Sequence, residues 1–126
     1  MERLIYTSLK EWKDSPNRKP LILQGARQVG KTYILKEFGK REYANVVYIN
    51  CDDNDDMKDM FADYDIKRII RSLSAISGIS IMPSSTLIIL DEIQEINRGL
   101  SSLKYFCEKA PEYHVAVAGS LLGITL

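Results

Sequence analysis

The eight residues "GARQVGKT", 25 to 32, constrain what this chain can fold into more than any other feature. Apolar "LIL" precedes them and apolar "YIL" follows, so two regular elements are joined by a loop holding Gly25, Gly30 and Lys31. A simple turn needs one glycine and no particular cation. Two glycines let the backbone curl tightly and approach a bound group without Cβ clashes. The spacing G-x-x-x-x-G-K-[ST], after a strand and before a helix, is a cradle for a polyphosphate. At average residue frequencies it arises by chance in about one in a few hundred chains of this length.

The chemistry follows the spacing. Amides from about Val29 to Tyr33 are expected to point inward as an anion nest, backed by the positive end of the helix. Lys31 brings a full charge to the β- and γ-phosphates, and the Thr32 hydroxyl is a ligand for Mg²⁺. Arg27 and Gln28 read as loop residues facing solvent. The expected nucleotide-binding set is Gly25, Ala26, Arg27, Gln28, Val29, Gly30, Lys31, Thr32 and Tyr33.

The other elements follow from periodicity. Ile5, Leu9 and Trp12 recur at helical spacing, so residues 2 to 13 are an amphipathic helix stopped by Pro16 and Pro20. Leu21 to Gln24 is a short strand. The next helix is expected to start near Lys31, bury Ile34, Leu35 and Phe38, and stop at Gly39. "NVVYIN", 45 to 50, is β-branched and aromatic, hence a strand. "CDDNDDMKDMF" after it lacks the glycine and terminal glutamate of a calcium loop and reads as acids at a helix start. Ile66, Ile69, Ile70 and Leu73 mark a helix, followed by a loop with Gly78 and Pro83. "TLIIL", 86 to 90, is an apolar run fit for a strand covered on both faces. Leu100, Leu103 and Phe106 give a helix closed by Pro111, and "HVAVAG", 114 to 119, is a fourth strand. Strands alternating with helices predict an α/β fold, a mainly parallel sheet with helices on both faces and right-handed crossovers.

"LIILDE" carries the second half of the site. Asp91 and Glu92 emerge at the C-terminal end of a buried strand, the edge of an open sheet where ligands bind. Asp91 is expected to hold the Mg²⁺ hydration shell and Glu92 to orient or deprotonate the attacking water. Alternation along a strand would turn the two carboxylates to opposite faces. Ser120 in "AGS" would place a polar group near the γ-phosphate as a sensor, and Gln94 is a second candidate on the same water.

Composition narrows the remaining classes. The 17 basic residues offset 17 acidic ones, so no bulk charge argues for nucleic acid. Two cysteines, Cys51 and Cys107, make neither a disulfide framework nor a zinc site and read as reduced, packed thiols. His114 is the only histidine, leaving little for a histidine-based triad or metal cluster. No apolar run is long enough to span a membrane and no leader is evident, which places the protein in the cytoplasm. The apolar end "GSLLGITL" suggests a chain cut short of its natural terminus.

With Walker A "GARQVGKT", Walker B "LIILDE" followed by "IQ", and "VAVAGS" on the fourth strand, the sequence resembles the AAA-type P-loop ATPases over nearly its whole length. It looks most like a prokaryotic family of uncharacterised ATPases joined to a C-terminal domain of unknown function. That resemblance implies a three-layer P-loop NTPase sandwich with strand order 1-4-3-2 and the fifth strand missing. The length suits a single domain over 1–126, with an N-terminal helix at 1–14 and the nucleotide-binding core at 20–126. The resemblance also implies a site in which Lys31 and Thr32 bind phosphate and Mg²⁺, Asp91 the Mg²⁺ shell, Glu92 the water, and Ser120 is the first sensor. Catalysis would rest on Glu92, Lys31 and Ser120, with Thr32 and Asp91 on the metal. The family's later arginine, worth about 10³–10⁵ in rate, lies beyond the last residue.

The leading expectation is therefore a Mg-ATP-binding ATPase, hydrolytic and homo-oligomeric in its complete form. The alternative is a nucleotide-dependent switch module that contacts DNA or protein, supported only by basic clusters at Lys40–Arg41 and Lys67–Arg68–Arg71. A small-molecule phosphotransferase would need an acceptor pocket and lid, and no sequence signal points to either.

Overall fold

A computed structural model of the chain describes residues 2–16, 18–23, 28–52, 65–93 and 99–118; the side chains described are those of these residues other than 2–5, 22–23, 28–31, 99–100, 102 and 107. Helices and strands alternate in the order α1 (Glu2–Asp14), β1 (Leu21–Leu23), α2 (Gln28–Glu42), β2 (Asn45–Asn50), α3 (Ile66–Ser77), β3 (Thr86–Asp91), α4 (Gly99–Lys109) and β4 (His114–Ala118). The four strands pair in parallel in the order β1-β4-β3-β2. β4 thus lies between β1 and β3, as the family resemblance implied.

Strand alternation divides the core into two layers. Ile88 and Leu90 of β3, Val115 and Val117 of β4, and Val47 and Ile49 of β2 pack with Ile69 and Leu73 of α3 and Phe106 of α4. The opposite parity sends Leu87, Ile89, Ala116 and Ala118 against Leu9 of α1 and Leu35 and Phe38 of α2. β3 is buried along its whole length because helices cover both its faces. α3 is delimited by local chemistry. The Asp65 side chain caps its first turn by accepting from Arg68 N, and Gly78 closes it at φ 73, a left-handed conformation that favours glycine.

Two expectations about α2 fail. The helix begins at Gln28 rather than near Lys31, so its unpaired first-turn amides are those of the opening residues of the helix. The amides of Thr32 and Tyr33, expected in the anion nest, fall past that first turn and belong to the helical ladder. Glutamine is a good helix former, and a glycine near a helix end costs less than one in its middle. At the other end, Gly39 does not stop the helix, which runs on to Glu42. Gly39 is buried and helical, and a Cβ built there would lie 2.5 Å from Val46 Cγ2 and 3.1 Å from Leu87 Cδ2. It is glycine because α2 presses against the sheet at that point. Among the described residues no helix is long and apolar enough to cross a membrane.

Candidate functional site

Asp91 ends β3 with the parity of Leu87 and Ile89, and so projects to the side of the sheet that α2 covers. It is 5% exposed. Thr32, on α2, donates from its hydroxyl to Asp91 Oδ2 at 2.9 Å. The Tyr48 hydroxyl on β2 donates to the same oxygen at 2.6 Å. Oδ1 accepts the backbone N–H of Glu92 at 3.0 Å. One buried carboxylate therefore gathers donors from α2, the neighbouring strand and the turn that follows β3. The short phenol contact falls in the range of a charge-assisted O–H···O⁻ bond.

The sequence-predicted residues distribute as follows. Gly25, Ala26, Arg27, Gln94 and Ser120 lie outside the described residues. Gln28, Val29, Gly30 and Lys31 form the first turn of α2, which carries no acidic side chain to offset its positive dipole end. Tyr33 is 59% exposed. Thr32 and Asp91, 59 positions apart in the chain, are in direct contact.

Glu92 departs from expectation in one respect. It does not continue the strand to the opposite face, because its φ is 56°, in the left-handed region. A non-glycine residue held there stores about 1–3 kcal/mol of backbone strain. The Asp91 carboxylate stabilises the turn by accepting the Glu92 N–H. The direction of Glu92 is thus set by a turn, not by strand alternation, and its side chain is half-buried.

Cys51 follows β2 and donates its N–H to the backbone oxygen of Asp91 at 2.9 Å. Burial, with smaller contributions from the Asp91 and Glu92 charges, pushes its thiol up to about 12. It is a buried, unreactive thiol, as its composition-based reading expected. His114 also stays out of the site. It starts β4 at the other end of the sheet, shares a 2.6 Å hydrogen bond between its Nδ1 and the Tyr43 hydroxyl, and is held down to about 4 by burial and then by Arg18 and Lys13.

Tyr48 is the site residue that sequence reasoning missed. On its own, "NVVYIN" signals only a strand. Two signals were available: the implied order sets β2 beside β3, and Tyr48 shares a face with the last residue of its strand. Linking it to Asp91 needed the register, in which Tyr48 pairs with Ile89 and Asn50 with Asp91.

Hard oxygen donors suit a small divalent cation such as Mg²⁺. Among the described residues no group of three or more His, Cys, Asp or Glu could hold a metal by itself.

A parallel sheet between two helical layers, with an acid at the end of a central strand touching the helix that follows β1, is the architecture of P-loop nucleotide-binding domains. A family model described as an AAA domain matches residues 17–126, and the chain belongs to that family. Comparison with curated proteins gave no match. Family membership makes nucleotide binding its general activity.

Proposed function

We propose that this domain binds Mg-ATP between the "GARQVGKT" loop and Asp91 and hydrolyses it. The Thr32 Oγ1–Asp91 Oδ2 contact carries the proposal, because it joins the two halves of a phosphate-and-metal site across distant parts of the chain. In this reading the loop amides and the start of α2 hold the phosphate tail. Lys31 supplies a cation to the β- and γ-phosphates. Thr32 directs its proton to Asp91, leaving its oxygen lone pairs for Mg²⁺. The ion, when bound, neutralises charge on the β- and γ-phosphate oxygens.

Glu92 orients the attacking water or takes its proton. Its turn conformation keeps it beside Asp91 without using the next strand position. Ser120 and Gln94 belong to the same proposal as polar groups near the γ-phosphate. Residues 20–126 form the binding core, and α1 packs on it through Leu9. In this reading the domain works in the cytoplasm, where ATP and free Mg²⁺ are both abundant.

The experiment is Glu92→Gln, which keeps the size of the side chain and removes its basicity. ATP binding should persist while turnover falls by about 10²–10⁴-fold. Unchanged turnover would remove Glu92 from the chemistry.

A further inference from the structure

Tyr48 lies in neither the glycine loop nor the "DE" pair, yet it makes the shortest described hydrogen bond to Asp91. We propose that Tyr48 is a positioning residue for the metal half of the site, its hydroxyl locking the Asp91 carboxylate so that Asp91 acts through Thr32 and metal-bound water rather than as a direct ligand at Oδ2. This rests on reading Thr32 and Asp91 as the metal-holding pair.

The geometry supports the role in three ways. A carboxylate oxygen has about two lone-pair directions. On Oδ2 both are taken, one by Thr32 at 2.9 Å and one by Tyr48 at 2.6 Å. The phenol is also rigidly carried. Its strand pairs with β3 over six consecutive residues, and the Lys36 ammonium lies 3.9 Å from its ring centroid. Lys36 is one turn beyond Thr32 on α2, so a single helix face carries the first donor to the carboxylate and touches the ring of the second. Finally, the hydroxyl is superfluous to strand pairing, because the β2–β3 ladder is complete without it.

Partners of this kind around a metal typically change its affinity by about 10–100-fold when removed. The test is a Mg²⁺ titration of fluorescent ATP-analogue binding to the intact protein and to Tyr48→Phe, with a parallel binding curve in EDTA. The inference expects the Mg²⁺ concentration at half-effect to rise by about 10-fold or more, with metal-free nucleotide affinity unchanged. An unaltered Mg²⁺ dependence overturns it. So does an equal loss of affinity with and without metal, which would mark a structural tie only. If the unsubstituted protein fails to bind the nucleotide at all, the reading of the whole site falls, and this inference with it.

Discussion

Gly39 offers a sharp test of how the fold holds its site, because two principles predict opposite signs for Gly39→Ala. In an ordinary helix interior alanine is favoured over glycine by about 1 kcal/mol. Here the added methyl would sit 2.5 Å from Val46 Cγ2 and 3.1 Å from Leu87 Cδ2. Carbon atoms prefer about 3.5–4.0 Å, so α2 or β2 must yield by about 1 Å. Leu87 is fully buried, and Val46 is β-branched with a stiff χ1, so neither side chain swings away cheaply. Overpacking of this kind costs about 1–3 kcal/mol against a propensity gain of about 1 kcal/mol, which leaves a net loss of up to about 2 kcal/mol. Thermal unfolding followed by circular dichroism should then show a melting temperature lower by up to about 8 °C. Gly39 lies two helical turns from Thr32 along the same face, about 10 Å away, so displacement of α2 should also weaken nucleotide binding. Val46→Ala removes the closest atom, and the double variant should recover about 1 kcal/mol of the loss. If Gly39→Ala instead melts higher than the parent, the close approach of α2 to the sheet is wrong, and Gly39 is merely a weak point in a helix.

Two further outcomes are expected. The unfolded His114 imidazole takes its proton at about pH 6.5, whereas the folded one, buried beside Trp12, Tyr43, Lys13 and Arg18, does so only at about 4. The unfolded state therefore binds more protons between these values, and stability falls as pH drops through that window. Urea midpoints at about pH 7 and about pH 5 should differ less for His114→Gln than for the parent; equal differences would exonerate the histidine. At Glu92, the left-handed φ predicts that Glu92→Gly retains or slightly gains stability while Glu92→Val loses about 1–2 kcal/mol. A glycine variant less stable than the valine one would contradict that conformation.

Much of the architecture is legible in periodicity alone. Ile66, Ile69, Ile70 and Leu73 announce α3 and are its buried residues. "TLIIL" announces a strand covered on both faces. The Thr32–Asp91 pairing was also accessible, since the glycine-loop spacing and the strand-terminal acid each carry their own chemistry. What periodicity cannot show is why a glycine is present. Gly39 reads equally well as a helix stop or as a packing contact, and only the distance to Val46 decides. Glu92 shows a second blind spot, because strand alternation assumes that the strand continues. Tyr48 shows a third: its role depends on a cross-strand register, a property of two segments that neither contains.

The account rests on a triphosphate held by Lys31 and the loop amides opposite Asp91, and one melting experiment addresses it directly. Unfolding is followed with and without Mg-ATP for the parent and for Lys31→Ala. At about 100 times the dissociation constant, ligand should stabilise the parent by about 2.7 kcal/mol, and the shift should vanish in Lys31→Ala. A parent that does not respond, or a shift that survives the loss of the lysine, would place any nucleotide elsewhere and contradict the assignment.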